Sequence, residues 1–360
     1  MSTKENVLKT LLTLKSDEFI SGEELASSCS VSRAAIWKAI RSLEEEGFKI
    51  EAVTNRGYRL LETPDKLDST QISDYLKENG IKDLKIKIFE QIDSTNSQAK
   101  RSACEIGSFR NASGELTDKG KNLHLTLFAS ESQSGGKGRL GRRFVSPKNC
   151  GVYFTLLYSP RFGVKNPALY TAAAAVSVCR AIQKFYDEKC SIKWVNDIFL
   201  GGKKICGILV EGIANFETNC IDAAVVGIGI NLRINHELTG EITKIAGSVE
   251  EAKLLKNKEF KSVSKNLVIA EVIKNLIKFY DGFEAEDSEL KNKMIEEYRS
   301  LSMLTGVSVT VNPVAGAKGE VYKAKVLGVS EEVKLIVETE GGEKKELSSG
   351  EVSLHSYDFV

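Results

Sequence analysis

The sequence predicts a multidomain α+β protein, because three stretches of its 360 residues carry different hydrophobic periodicities. Helical spacing followed by a hairpin occupies the beginning, strand-like and helix-like runs alternate in the middle, and short alternating runs occupy the end. We place the domain boundaries at 1–63, 64–303 and 304–360. A chain of this length is long for one domain, which agrees with this division.

The first domain has the pattern of a winged helix–turn–helix. Ser21 to Glu24 has the Ser-x-x-Glu form of a capping box, which marks the start of a helix. After a tight turn, Ser32 is placed to cap a second helix that contains a buried stripe of isoleucine and leucine. Alternating residues then flank a turn at 54–57, which is typical of a hairpin. The helix–turn–helix therefore spans about 22–41.

The charge of this domain allows two interpretations. Residues 1–65 hold nine Lys or Arg and eleven Asp or Glu, so a helical interaction module that ignores DNA is one alternative. The cations nevertheless lie where a recognition helix and a wing meet DNA. The expected DNA-binding residues are Ser32, Arg33, Lys38, Arg41 and Arg56. Trp37 lies beside the isoleucine stripe, where packing is commoner than DNA contact, and we expect it to pack.

Composition excludes several classes of function. The formal net charge is +1, so no global field attracts the chain to nucleic acid or membranes. Seven cysteines without a C-x-x-C pair indicate reduced thiols in the cytosol rather than disulfides or zinc. His124, His236 and His355 are far apart in sequence, so His-metal sites and catalytic triads are not expected. The longest weakly polar run, 172–178, is too short to cross a bilayer, and we expect a cytoplasmic protein with no membrane partner.

The middle and end of the chain differ in their periodicity. Strand-like runs fall at 86–89, 123–128, 151–157 and 223–230, and helix-like runs at 166–186 and 265–299. The polar segment 108–122 has the composition of a surface loop, to which we assign no function. Short alternating runs at 307–311, 321–329 and 333–337 suggest a small β-barrel.

The most informative stretch is a glycine-rich cationic loop at 134–147. Glycines at 135, 136, 138 and 141 let the backbone wrap closely around a ligand. Four cations alternate with them, namely Lys137, Arg139, Arg142 and Arg143. Such a loop suits a carboxylate or a phosphate. A solvated basic surface loop is the alternative, and the accompanying motifs decide between the two.

Those motifs resemble the signature of the bifunctional biotin–protein ligase and biotin-operon repressor family. The matching segments are Asp93-Ser-Thr-Asn96, Gln133, Gly136 to Phe144, Lys193-Trp-Val-Asn-Asp197, Lys204 to Glu211 and Gly227-Ile-Gly-Ile-Asn231. These ordered elements are highly specific, and with the terminal domains the resemblance covers nearly the whole chain. Three positions depart from the family pattern: Lys137 for Arg, Phe144 for Trp and Val195 for Pro. Lys137 keeps the charge without the bidentate geometry, and Phe144 keeps a smaller aromatic face.

The resemblance implies an ATP-dependent ligase that forms biotinyl-5′-AMP and transfers biotin to a lysine of a biotin carboxyl carrier domain. It also implies a biotin-responsive repressor that binds operator DNA as a homodimer, with ligand binding ordering segments 135–143 and 235–247. The implied fold is a mixed-sheet catalytic domain followed by an SH3-like barrel, and the implied ligands are ATP, biotin and Mg²⁺. A non-enzymatic biotin-sensing repressor and a lipoate–protein ligase are the alternatives. The first could lose Lys204 or Arg139, and the second is not expected to carry the full loop or a winged helix.

The resemblance further implies roles for individual residues. Lys204 and Arg139 would be catalytic, because they would neutralise the biotin carboxylate and the α-phosphate. The implied biotin site consists of Ser94, Thr95, Asn96, Gln133, Lys137, Gly138, Arg139, Lys204 and Gly207. The implied adenylate site consists of Arg142, Phe144, Lys193, Trp194, Asn196 and Asn231, with Asp197 for Mg²⁺. The alternative interpretations without a ligand are that Lys204 is a solvated charge of a hairpin and that Asp197 is an ordinary turn residue.

Overall fold

The computed structural model describes residues 2–15, 17–111, 113–215, 220–235, 239–256, 263–312, 320–348 and 351–354. The expectations for His236 and His355, and for residues 236–238 of the segment 235–247, fall outside these ranges. The chain forms two compact units, residues 1–66 and 67–360. The domain boundaries at 63 and 303 stay predictions.

The first unit is built from three helices and a hairpin: α1 (Thr3–Thr13), α2 (Gly22–Cys29), α3 (Arg33–Glu45), β1 (Lys49–Val53) and β2 (Gly57–Glu62). The predicted capping box is present, because Ser21 Oγ accepts the Glu24 N–H at 3.1 Å and the Glu24 carboxylate accepts the Ser21 N–H at 2.9 Å. Ser32 Oγ caps α3 by accepting the Ala35 N–H at 3.3 Å. These caps satisfy N–H groups that the first helical turn leaves unpaired.

The expectation that Trp37 packs into the core of this unit is wrong. Its side chain is 54% exposed, whereas Ile36 and Ile40 are 1% and 4% exposed. Each residue of a helix is rotated by about 100° from the one before it, so Trp37 points away from the stripe that Ile36 and Ile40 bury. The guanidinium carbon of Arg41 lies over the Trp37 ring, 5.1 Å from its centroid.

The second unit contains a seven-stranded mixed sheet in the order β3-β4-β5-β9-β8-β7-β6. Its strands are β3 (Lys85–Phe89), β4 (Thr126–Ser130), β5 (Gly151–Tyr158), β6 (Ser191–Lys193), β7 (Asp197–Leu200), β8 (Lys203–Asn215) and β9 (Cys220–Asn231). β3 and β4 are parallel, and the other neighbours are antiparallel. The strand predicted at 123–128 begins later, because Leu123 ends a short helix.

Helices accompany this sheet: α4 (Ser69–Glu78), α5 (Thr95–Ile106), α6 (Asp118–Leu123), α7 (Pro167–Tyr186), α8 (Ile242–Ile245), α9 (Val249–Leu255), α10 (Lys265–Glu284) and α11 (Ser288–Ser300). Successive residues of β5 enter different cores, since Leu156 packs with the cluster of α7 and α10 and Leu157 with the cluster of α5 and α6. Both faces are covered, which explains why every residue of β5 is buried. The single helix predicted at 265–299 is wrong, because Glu286 adopts a φ of +53° and Asp287 caps a new helix.

Segment 108–122 is more than a surface loop, and that expectation is corrected; Ala112 lies outside the described residues. Phe109 is fully buried in the cluster of α5 and α6. Its backbone N–H donates to the Asp222 carboxylate at 2.8 Å, and Arg110 donates to the Ser159 carbonyl at 2.5 Å. The segment therefore closes one core of the second unit.

The C-terminal strands form an antiparallel sheet in the order β13-β12-β11-β10-β14. They are β10 (Ser308–Asn312), β11 (Tyr322–Val329), β12 (Leu335–Thr339), β13 (Lys344–Leu347) and β14 (Glu351–Leu354). Residues of this sheet, such as Val326 and Val337, belong to the same buried cluster as α7 and α10. Across the described residues, none of the helices has both the length and the apolar composition that a membrane crossing needs.

His124 follows α6 and generates a pH dependence. Its Nδ1 accepts the Ser159 N–H at 3.1 Å. Burial, with the charges of Arg110 and Lys85, lowers the pKa of His124 to about 4 from its ordinary value of 6.5. The unfolded chain therefore binds this proton at a higher pH than the folded chain does. The neutral form of His124 therefore contributes stability that is fully present above pH 6.5 and is lost as the pH falls toward about 4.

We expect the free energy of unfolding to fall by about 1–2 kcal/mol between pH 6.5 and about pH 5, measured by urea denaturation. His124→Asn should remove this part of the pH dependence, because its amide oxygen can accept the same N–H without titrating. An unchanged pH slope in His124→Asn contradicts the assignment.

Candidate functional site

Two adjoining cavities lie on the seven-stranded sheet. The first, here called the small cavity, is lined by Ser94, Thr95, Asn96, Gln133, Lys137, Phe144, Gly207, Leu209, Gly227, Ile228 and Gly229. The second, here called the cationic cavity, is lined by Lys137, Gly138, Arg139, Leu140, Arg142, Arg143, Phe144, Lys193, Trp194, Asn196, Asp197, Lys204, Gly207, Ile208 and Leu209. Lys137, Phe144, Gly207 and Leu209 line both. The structure therefore brings together all of the residues predicted for the biotin, adenylate and Mg²⁺ sites except Asn231.

The amide of Asn96 organises the floor of the small cavity. Its Oδ1 accepts the Thr155 hydroxyl at 2.7 Å, and its Nδ2 donates to the Leu209 carbonyl at 3.2 Å and the Glu211 carboxylate at 2.9 Å. A Cβ on Gly227 would lie 2.0 Å from Asn96 Oδ1, so a glycine is required there. Asn96 is 4% exposed and its hydrogen bonds are made within the protein. In this state the side chain supports the cavity.

Gln133 and Thr95 form the adjacent wall of the small cavity. Gln133 Oε1 accepts the Thr95 N–H at 2.8 Å, and Gln133 Nε2 donates to the Ser146 hydroxyl at 2.9 Å. These bonds join the first turn of α5 to the end of the glycine-rich loop. Ser94 caps α5 by accepting the Ser97 N–H at 3.5 Å. The wall thus presents hydroxyl and amide groups, which suit a neutral polar ligand.

The glycine-rich loop folds back on itself beside the cationic cavity. Gly138 donates its N–H to the Arg142 carbonyl at 2.7 Å, and Phe144 donates its N–H to the Gly136 carbonyl at 2.9 Å. A Cβ on Gly136 would lie 2.3 Å from the Phe144 carbonyl oxygen, so this close approach requires glycine. Within the loop, Arg139 forms a single 3₁₀ turn with the next two residues. The loop thereby directs its cations at one cavity.

Two contacts place charged groups inside the cationic cavity. Arg139 Nη1 donates to Asn196 Oδ1 at 3.0 Å, and Lys204 Nζ lies 2.7 Å from Asp197 Oδ1. The side chains of Lys204 and Asp197 are 28% and 26% exposed, so Lys204 is not a fully solvated hairpin charge. Asp197 is the first residue of β7 and pairs with Lys193 of β6, so it follows the turn.

Phe144 separates the two cavities in this state. Its ring lies against the backbone of two strands, since a Cβ would come within 3.3 Å of it at Gly207 and 2.5 Å at Gly229. It also contacts Tyr153 edge-on, with ring centroids 6.3 Å apart. The aromatic face predicted for a nucleotide base therefore rests on the sheet.

Two predicted residues have other surroundings. Asn231 Nδ2 donates to the Gly247 carbonyl at 3.0 Å, and Asn231 lines a third, neighbouring cavity with Lys203 and Arg233. Trp194 reaches the cationic cavity but is 6% exposed, and its indole N–H donates to the Val333 carbonyl at 2.8 Å. The peptide bond from Trp194 to Val195 is cis.

Three supporting residues received no role from the sequence. Thr155 links Thr95 and Asn96 through its hydroxyl, and Lys100 pairs with Glu211 at 2.8 Å. Burial raises the pKa of Glu211, but hydrogen bonds from Lys100 and Asn96 outweigh it and lower the pKa below its ordinary value. Glu211 is the last residue of the family motif that begins at Lys204, and this position in the motif could have indicated a role in the site. Thr155 lies in an otherwise apolar strand, where only the structure shows its partners.

Comparison with known proteins identifies this architecture. Residues 115–231 match the biotin/lipoate A/B protein ligase family, and residues 6–59 match a helix–turn–helix domain. The bifunctional ligase/repressor BirA of Bacillus subtilis is 28% identical over 345 residues, which cover 96% of this chain and 97% of that protein. BirA of Escherichia coli is 26% identical over 279 residues, covering 78% of each chain.

A solved structure shares the fold of the second unit. The biotin protein ligase of Aquifex aeolicus in complex with biotin and ATP is 25% identical with a TM-score of 0.56, covering 75% of this chain and 98% of that chain. Residues 115–231 thus form a domain of the biotin/lipoate A/B protein ligase family, and residues 6–59 form a helix–turn–helix domain that precedes it. The chain is similar over nearly its whole length to the bifunctional ligase/repressor BirA of Bacillus subtilis.

The Asn96 network predicts a specific stability effect. Asn96→Asp replaces a donor with a second carboxylate beside Glu211 and should lower the free energy of unfolding by about 2–4 kcal/mol. Denaturation followed by the fluorescence of buried Trp194 measures it. The control is Asn292→Asp, at an exposed position of α11 in the same unit, and this change should be nearly neutral. If the two variants have the same free energy of unfolding, the hydrogen bonds of Asn96 do not stabilise the fold as proposed.

Proposed function

We propose that the protein is an ATP-dependent biotin–protein ligase that also acts as a biotin-responsive transcriptional repressor. The observation that carries the ligase half is the shared wall of Lys137, Phe144, Gly207 and Leu209 between the small cavity and the cationic cavity. A ligand with a neutral polar head fits the first cavity, and its carboxylate then reaches the cations of the second. The family match and the Bacillus subtilis relative support this assignment.

In the proposed first step, a carboxylate oxygen of biotin attacks the α-phosphorus of ATP and pyrophosphate leaves, which forms biotinyl-5′-AMP. A lysine amine of a biotin carboxyl carrier domain then attacks the acyl carbon, and AMP leaves as the amide forms. Both steps bring anions together, so positioned cations lower the barrier without a side-chain nucleophile. Lys204 and Arg139 are the proposed catalytic residues.

The proposed binding residues follow the two cavities. The biotin head would meet Ser94, Thr95 and Gln133, with Asn96 supporting them from below. Its tail would pass Gly207, where the absence of a side chain leaves room. The phosphates would meet Lys137, Gly138, Arg139, Arg142, Lys193 and Asn196. The roles proposed for Trp194 and Asn231 on the adenylate side require contacts beyond those that they make in this state.

Two rearrangements accompany nucleotide binding in this proposal. Lys204 leaves Asp197 for the ligand's oxygens, and Phe144 turns from the sheet to the adenine. Asp197 supplies the single carboxylate among the residues that line the cationic cavity. Mg²⁺ often binds through one or two carboxylates together with substrate phosphates, so Asp197 fits an ion that arrives with ATP.

Lys204→Gln should slow pyrophosphate release with biotin and ATP by about 10²–10³-fold, because the amide keeps hydrogen bonding but loses the charge. Lys87→Gln, at an exposed position of β3, should release pyrophosphate at the parent rate. Parent-rate release by Lys204→Gln removes its catalytic role. Lipoate and octanoate, tested in parallel, should react far more slowly than biotin; a preference for lipoate would make the protein a lipoate–protein ligase.

The repressor half rests on the helix–turn–helix unit. Arg33, Lys38 and Arg41 are exposed on α3, and the exposed ion pair of Arg33 with Glu23 is weak enough to yield to a phosphate. Arg56 lies on the wing, and its guanidinium carbon is 4.2 Å from the centroid of the Phe19 ring. One such unit makes few phosphate contacts, so we propose that a homodimer binds two half-sites of an operator. Ser32 is proposed to contact a phosphate.

We further propose that adenylate binding orders segments 135–143 and 235–247 and so favours the dimer. An SH3-like barrel for residues 304–360 and a cytoplasmic location complete the proposal. The barrel is supported by the antiparallel C-terminal sheet. The location is supported by the cysteine pattern of the sequence, seven residues with no C-x-x-C pair.

Operator affinity should rise when biotin and ATP are both present, in gel-shift and sedimentation titrations of the full chain. Lys204→Gln should lose this response to biotin and ATP but regain it with chemically prepared biotinyl-5′-AMP, because only synthesis is impaired. Arg41→Ala should lose operator binding while it still releases pyrophosphate. If operator affinity does not change with the adenylate, the DNA-binding unit is not coupled to the ligase site.

A further inference from the structure

The solvent face of α3 carries an aromatic side chain among cations. Ala34, Trp37, Lys38 and Arg41 are all exposed, and their spacing of three and four residues places them on one side of the helix. Trp37 is 54% exposed, whereas the chain's second tryptophan, Trp194, is 6% exposed. Exposure of so much aromatic surface loses the free energy that burial normally supplies. The position therefore favours a partner that covers the ring.

The Trp37 ring is oriented before any partner arrives. The Arg41 guanidinium lies over it with 5.1 Å between its central carbon and the ring centroid, a distance at which cation–π attraction operates. Arg33 lies one helical turn before Trp37, and Lys38 follows it. Arg33 forms an exposed ion pair with Glu23. The carboxylates of α3 itself, Glu44 and Glu45, come one turn after Arg41. The surroundings of the ring are thus mainly cationic, which favours a polyanion as its partner.

DNA presents one apolar group in its major groove, the 5-methyl group of thymine. We propose that Trp37 is a specificity-determining residue that packs against a thymine methyl group in each operator half-site, with Arg41 orienting the indole. This inference rests on the proposed DNA-binding function and names the base that the recognition helix reads. The cations on either side contact phosphates and set the register of the helix, and the ring discriminates between bases.

The test begins with selection of duplexes from a random library by the full chain in the presence of biotin and ATP. Each thymine of the selected duplex is then replaced singly by deoxyuridine, which removes only the methyl group. For the parent, one replacement per half-site should weaken binding about fourfold, the loss expected for one buried carbon group. Trp37→Ala should bind more weakly and be indifferent to every replacement, while Trp37→Phe should stay sensitive to the same one.

Lys38→Ala is the matched control, since it removes a cation from the same face. It should weaken binding to all duplexes uniformly, reduce the salt slope by about 1, and keep the deoxyuridine penalty. All variants should keep the parent's helical circular dichroism and the unfolding midpoint of the first unit, which shows that the helix–turn–helix folds, and should release pyrophosphate at the parent rate.

Several results overturn the inference. One is that the selected duplexes share no invariant thymine. Another is that no deoxyuridine replacement weakens binding of the parent. A third is that Trp37→Ala still binds the deoxyuridine duplex more weakly than the thymine duplex. If Trp37→Phe loses affinity as Trp37→Ala does and the parent ignores deoxyuridine, the indole N–H acts as a hydrogen-bond donor instead. Failure to enrich any sequence removes the proposed DNA-binding function itself, an outcome distinct from enrichment of a site that is indifferent to the methyl group.

Discussion

The ligand site depends on the satisfaction of one buried amide. Asn96 finds all its partners only when the start of α5, β5 and β8 hold one arrangement, and only because Gly227 has no side chain. A buried polar group left without partners costs more than its hydrogen bonds contribute when made, so this arrangement is strongly selected. The start of α5 and β8 line the small cavity, and β8 also lines the cationic cavity. Through its bond to the Leu209 carbonyl of β8, Asn96 therefore helps to hold the two cavities in register.

Local patterns predicted much of the fold, and the family resemblance supplied the candidate site. The capping box and the helix–turn–helix depend on short-range spacing, which a sequence displays directly. The glycine-rich loop is separated from Lys193–Asp197 and Lys204 by about fifty residues or more, so their grouping was implied by the resemblance alone. Thr155 escaped prediction because its partners lie about sixty residues away. Phe109 escaped for a similar reason, since the carboxylate that holds its backbone belongs to Asp222, 113 residues later. The polar residues around Phe109 indicated a surface loop, although Phe109 itself is buried.

Trp37 shows how residue type and periodicity can give opposite answers. Its aromatic character suggested packing, yet the spacing of Ile36 and Ile40 already assigned the core face of α3 to other positions. The periodicity was the better guide, because a regular helix cannot turn adjacent residues to one side. The error is informative, since the exposed ring with the Arg41 guanidinium over it is the observation from which the base contact was proposed.

The cationic cavity has a kinetic consequence. Six cations and one carboxylate line it, although the whole chain carries a formal net charge of only +1. Field lines from such a concentration of charge converge on the cavity mouth and accelerate the arrival of small anions, an effect that salt attenuates. A nucleotide would be captured at a rate that depends on ionic strength. A ligand with a single carboxylate would be captured at a rate that depends on ionic strength much less, because its charge is smaller. The order in which two such ligands enter is then set by the medium as well as by the protein.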